Sequence, residues 1–194
     1  MNTTLIILAI VVLVIVYAIG LYNGLVQKNV RVDEAWSDID VQLKRRYDLI
    51  PNLVETVKGY AKHEEGVFTA VVEARSKASS MSFDIANASH EQMQAFATAQ
   101  EGLSGSLGKL FALAEAYPDL KANENFLELQ REIRDTEDKI QASRRFYNGT
   151  VRDLNTSVQQ FPGNIFAQTF GFLQREFYDL ESAPQERENI KITF

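Results

Sequence analysis

The sequence predicts an all-α protein in which a single N-terminal transmembrane helix continues into an antiparallel bundle of long helices. Three observations carry this. Residues 5–21 read LIILAIVVLVIVYAIGL, and no charged residue stands between Met1 and Gln27. Further on, apolar residues fall on seven-residue ladders, first Trp36, Leu43, Ile50, Val57 and Val71, then Phe126, Ile133, Ile140, Tyr147 and Leu154. Polar segments and prolines separate the ladders. Sevenfold apolar spacing keeps one helical face against a neighbour, as in bundles of nearly antiparallel helices.

The opening run is long enough to cross a hydrocarbon layer of ~30 Å as a helix, which satisfies its own backbone polar groups. The span is set at residues 4–24, the bundle at 25–182 and a C-terminal tail at 183–194. The segment Met1-Asn2-Thr3-Thr4 lacks the basic residues of a secretory signal, and the chain has no Cys for acylation. An uncleaved anchor is the expectation. Lys28, Arg31, Lys44, Arg45 and Arg46 follow the span on its carboxyl side. Positive residues remain cytoplasmic, which puts the N-terminus outside and the bundle inside. Gly20 and Gly24 are four apart near the end of the span and are the candidate surface for packing against a second membrane helix.

The first soluble pattern runs from Leu25 through Val32, Trp36, Ile39 and Leu43 to Val71. It reads as one rod continuous with the anchor, kinked at Pro51. Residues 79–89 (SSMSFDIANAS) form a polar loop. Ser89 and Gln92 have capping-box spacing before a third stripe of Met93, Phe96, Leu103, Leu107, Leu110, Ala114 and Tyr117. Gly102, Gly105 and Gly108 interrupt that helix, which marks either close approach of another helix or tolerated positions. Tyr117-Pro118-Asp119 ends it. Asn123 or Asn125 caps the next helix, and Phe161-Pro162-Gly163-Asn164 is the turn that closes it. A last amphipathic segment, residues 165–180, is expected to complete a bundle of four. Ile190, Ile192 and Phe194 alternate, as in an extended tail laid on the bundle.

Composition narrows the partners. The net charge of −6 argues against nucleic acid, which calls for a basic face. His63 and His90 have no Glu three residues before them, so the di-iron pattern of helical bundles is missing. Leu103 and Leu110 break the phosphate-loop pattern around Gly108-Lys109. No cofactor and no catalytic residue is indicated. Two clusters remain, residues 42–52 (QLKRRYDLIPN) and Arg144-Arg145-Phe146-Tyr147-Asn148, each with an Arg pair beside aromatics. The planar donor fork of Arg binds carboxylates or stacks on rings. Arg45, Arg46, Arg144 and Arg145 are therefore candidate interaction residues for an acidic partner or lipid headgroup. Internal pairing with Glu132, Asp135, Glu137 or Asp138 is the preferred reading.

Ordered blocks across nearly the whole chain resemble the LemA family of bacterial membrane proteins. They include Tyr22-Asn23-Gly24-Leu25-Val26, Val32-Asp33-Glu34-Ala35-Trp36, Gln42-Leu43-Lys44-Arg45-Arg46 and Asp48-Leu49-Ile50-Pro51-Asn52-Leu53-Val54. Glu115-Ala116-Tyr117-Pro118-Asp119-Leu120, Arg144-Arg145-Phe146-Tyr147-Asn148 and Phe161-Pro162 continue the series. The resemblance implies an N-terminal membrane helix with an antiparallel bundle in the bacterial inner membrane. It also implies relatives that help organise magnetosome membranes, and others encoded near a membrane zinc protease. No catalytic residue is established for the family, so none is carried over. The functional expectation is a membrane-anchored, self-associating scaffold that also meets other membrane proteins, such as a membrane protease. A sensor of membrane state or regulator of such a protease ranks second. An enzyme with a metal site near His63, Glu64 and Glu65 ranks third.

Overall fold

The computed structural model describes residues 2–178. Helix α1 (Asn2–Lys58) is unbroken over 57 residues, about 86 Å at 1.5 Å per residue. Its first part is long and apolar enough to cross a membrane, and the side chains of that window are not buried in the protein. From Val32 the same helix turns a seam of Val32, Trp36, Ile39, Leu43, Ile50, Leu53 and Val57 into the core. The seam steps by four and three residues in alternation, the coiled-coil period.

Pro51 stands inside α1 on the exposed side, and the helix runs on to Lys58. A proline has no N–H for the carbonyl four residues back. That carbonyl belongs to Tyr47, and it accepts instead from Arg75 Nε at 2.8 Å. The break in the ladder thus becomes a tie to the next helix.

The rod expected to reach Val71 ends sooner. Residues 59–64 reverse the chain through short-range bonds, Tyr60 N–H to the Val57 carbonyl at 3.0 Å and Glu64 N–H to the Ala61 carbonyl at 3.2 Å. Helix α2 (Glu65–Ser79) then runs back along α1. Lys58 lies over the Phe68 ring, and Tyr47 Oη donates to the Ala78 carbonyl at 3.3 Å, which fixes the antiparallel sense. Val57, Ala61, Phe68 and Val71 are buried on both sides of the turn. The apolar ladder survives the reversal because both limbs face one core, so spacing alone does not reveal it.

A short 3₁₀ turn (Ile85–Asn87) leads to α3 (His90–Ala114). The Ser89–Gln92 capping box forms with both of its hydrogen bonds. At Gly102, Gly105 and Gly108 an added Cβ would meet nothing within 4 Å, so close approach of a helix does not explain them. Tyr117 is extended, Pro118 opens the four-residue α4 (Pro118–Lys121), and Asn123 caps α5 (Glu124–Gln159) by accepting from Phe126 N–H at 2.9 Å. Asn125 lies within the helix. Helix α5 returns along the full soluble length of α1. Asn123 Nδ2 donates to Tyr60 Oη at one end, and Lys28 Nζ donates to Ser157 Oγ at the other.

The four long helices α1, α2, α3 and α5 make the antiparallel bundle. The segment after α5 does not supply the fourth. Helix α6 (Gly163–Phe170) stops at Gly171, whose φ of 75° is left-handed and suits glycine. Residues 172–178 then run without helical turns and are held on the bundle by α5. Gly163 is needed for another reason, since a Cβ there would overlap the Ser157 carbonyl oxygen. The tail at 183–194 and residues 179–182 of the expected bundle lie outside the described residues.

Candidate functional site

The bundle core is two apolar clusters. One holds Trp36, Phe96, Tyr147 and Tyr178 toward the anchor; the other holds Ile50, Val71, Leu110 and Phe126 toward the far end. Between them the α1 seam reaches Arg46, three residues after Leu43 and four before Ile50. Arg46 is therefore a core position occupied by a guanidinium, and it is 1% exposed. The α3 seam, stepping through Met93, Phe96, Leu103 and Leu107, reaches Gln100 at the same level, and Gln100 is also buried.

These side chains meet. Arg46 Nη1 donates to Glu137 Oε2 at 2.8 Å and to Ser104 Oγ at 3.1 Å. Arg46 Nη2 donates to Gln100 Oε1. Ser104 Oγ donates to Glu137 Oε1 at 3.1 Å, and Gln100 Nε2 donates to Tyr47 Oη at 2.6 Å. The Tyr47 hydroxyl ends on α2 at Ala78. One polar layer thus links all four helices. Burial raises the Tyr47 hydroxyl above its usual range, so Tyr47 stays a neutral donor. Arg46 Nε is buried without a hydrogen-bond partner.

The four arginines singled out from sequence fall in different surroundings. Arg45, next to the buried Arg46, is exposed and lies 3.6 Å from Asp135. The guanidinium of Arg144 stacks over the Tyr178 ring at 5.2 Å from its centroid. Arg145 is exposed. Arg46, Arg144 and Arg145 share a cleft of about 440 Å³ between α3 and α5, with Glu101, Glu137 and Tyr178 as other walls. Arg45 points elsewhere. Gly20 is exposed and Gly24 half-buried, and an added Cβ would meet nothing within 4 Å at either. Among the described residues, no three His, Asp or Glu side chains are gathered as a metal site would need.

Sequence reasoning missed the strap of residues 172–178, whose last described residue, Tyr178, walls this cleft. Asn148 and Asn155 each clasp its backbone with two bonds. Asn155 gives 2.9 Å to the Arg175 carbonyl and takes 2.9 Å from the Arg175 N–H; Asn148 gives 3.0 Å to the Tyr178 carbonyl and takes 2.8 Å from its N–H. Seven helical residues rise ~10.5 Å and three extended residues ~10 Å, so the two spacings match. Tyr147 Oη donates to the Glu176 carbonyl at 2.8 Å, and Arg175 Nη2 reaches Asn29 and Asp33 of α1 at 2.9 and 3.1 Å. The strap buries Tyr178 beside Trp36 and Phe96, and burial pushes its hydroxyl up to about 12. The visible signal is a pair of asparagines seven apart on the buried face of α5.

The model of the LemA family matches residues 35–194. The magnetosome protein MamQ of Magnetospirillum gryphiswaldense is 24% identical over 174 residues, which are 81% of this chain and 64% of that protein. Magnetosome protein MamQ 2 of Paramagnetospirillum magneticum is 24% identical over 179 residues, 84% of this chain and 66% of that protein. Protein LemA of Metamycoplasma hominis is 30% identical over 150 residues, 77% of this chain and 65% of that protein. The chain thus spans 64–66% of the length of these relatives.

Proposed function

The chain belongs to the LemA family, and from that premise we propose that it is a membrane-anchored helical scaffold that assembles with further copies of itself and with other membrane proteins. The observation that carries this reading is the continuity of α1. One helix passes from the apolar run into the core seam without a joint. A bundle carried this way is held at a fixed attitude to the bilayer, as contacts repeated in the membrane plane require. The positive residues Lys28 and Arg31 just beyond the span support an orientation with the bundle in the cytoplasm and the N-terminus outside the inner membrane. The open space beside Gly20 and Gly24 supports their use as a close-packing face within the anchor. The names of the magnetosome relatives support a role at membranes.

The test is crosslinking in intact cells that co-express two differently tagged copies, followed by purification on one tag and mass spectrometry. The scaffold reading expects the second tagged copy in the crosslinked product. Recovery of single, uncrosslinked chains at every crosslinker dose would refute self-association.

A further inference from the structure

We propose that α6 is a second membrane element, lying in the bilayer interface against the base of the anchor, with its apolar side facing lipid. The proposal rests on α1 spanning a bilayer. Two parts of the chain far apart in sequence lose all charge at one end of the molecule. On α1 no charged residue precedes Lys28, and from the last turns of α5 onward none occurs at residues 154–174. The fold brings these stretches together. Tyr22 contacts the rings of Phe170 and Phe172 edge-on, with centroids 4.9 and 5.8 Å apart. Phe166 and Phe170 line a nearly wholly apolar groove with Ile15, Ala18, Ile19 and Tyr22 of the anchor.

That end of the protein also exposes large apolar side chains. Phe161 is 80% exposed, Leu173 62%, Phe170 55% and Ile165 54%. Ala167 alone among the α6 residues is buried. In water such a patch is a liability. Here it is continuous with the equally exposed anchor side chains, so the solvent that suits Ile15 and Ile19 suits Ile165 and Phe170. Charge resumes on all three passes of the chain within about a turn of one level, at Lys28 on α1, at Asp153 one turn from Ser157 on α5, and at Arg175. Lys28 donates to Ser157, and Arg175 reaches Asn29 and Asp33. This level marks the polar boundary, with aromatic residues just beneath it, as at membrane interfaces. The helix has eight residues, too short to span, which leaves an in-plane position.

The chain has no Cys, so single labels need no background removal. Spin labels would be placed at Phe170→Cys, Ile165→Cys, Leu13→Cys and Thr98→Cys of the full chain in phosphatidylethanolamine–phosphatidylglycerol vesicles. Power saturation with oxygen and with a water-soluble nickel chelate then reads depth. The expected result is strong oxygen and weak nickel contact at 165 and 170, shallower than at 13, with the reverse at 98. Nickel contact at 165 and 170 equal to that at 98, with Leu13→Cys buried in lipid, overturns the α6 proposal and leaves the anchor standing. Nickel contact at position 13 as well overturns both. Shielding of 165 and 170 from both reagents, together with dipolar broadening that vanishes on dilution with unlabelled chain, shows a second copy on this face and likewise overturns the lipid assignment. Ile165→Cys guards against a local packing defect at Phe170, and the Trp36 emission of each labelled protein confirms folding.

Discussion

Replacing Arg46 by Met removes a guanidinium whose size a core can absorb and whose charge it cannot ignore. Arg46 is 1% exposed, and its partner Glu137 is 32% exposed. Losing one partner of a buried ion pair costs about 3–5 kcal/mol when the other charge stays buried. In Arg46→Met the remaining carboxylate is near enough to water to rehydrate, so the expected loss is lower, about 2–3 kcal/mol. Part of it comes from Gln100 and Ser104, which lose their partner. In Glu137→Met the stranded charge is the buried one, and the expected loss is the full ~3–5 kcal/mol. The double variant should lose less than the sum of the two, with a coupling of roughly 1.5 kcal/mol or more. Urea unfolding of the full chain in detergent micelles, followed by emission of Trp36, the one tryptophan, reads the bundle and not the anchor. Single substitutions of equal small effect, or losses that simply add, would refute the claim that this layer is a buried, mutually dependent network.

Arg75→Leu should cost about 1–2 kcal/mol by leaving the Tyr47 carbonyl without a donor, and Pro51→Ala added to it should recover most of this by restoring an N–H at the fourth residue; unfolding midpoints of the four proteins in that cycle check it. Asn155→Leu should free the strap at Arg175 and cost about 1–3 kcal/mol, seen as faster amide exchange at residues 172–178 with α3 unchanged. Alkaline pH should loosen the bundle. Burial raises Tyr147 and Tyr178, which hold their protons in the folded state to higher pH than unfolded tyrosine, so their stabilisation is complete below pH ~10 and declines above it, for Tyr178 as pH rises through about 12. For Tyr178 the decline is of order 2–3 kcal/mol. Tyrosinate absorbance rising in full at pH ~10 with the fold intact would contradict it.

The sequence made much of this architecture legible. The apolar run, the two ladders, the Ser89 box and the Pro118 break all correspond to observed elements, because each rests on local spacing. The reversal after Lys58 was hidden, since Val57, Ala61, Phe68 and Val71 keep their ladder across a turn whose two limbs share a core. The end of α6 was signalled by Gly171, yet the apolar residues beyond it fit a helix as well as a strap. That choice is made by Asn148 and Asn155, which act at long range. Arg45 and Arg46 looked alike as neighbours. The 4–3 seam distinguishes them, placing Arg46 inside and Arg45 outside.

Assembly on a membrane by a bundle fixed to one continuous helix can be read from the mass of the particle extracted from native membranes with a copolymer that retains the surrounding lipid, measured by native mass spectrometry after lipid release. The expected particle is a discrete species containing several copies of the 21.9 kDa chain, alone or with a membrane partner. A particle holding a single chain and no other protein would overturn the scaffold reading.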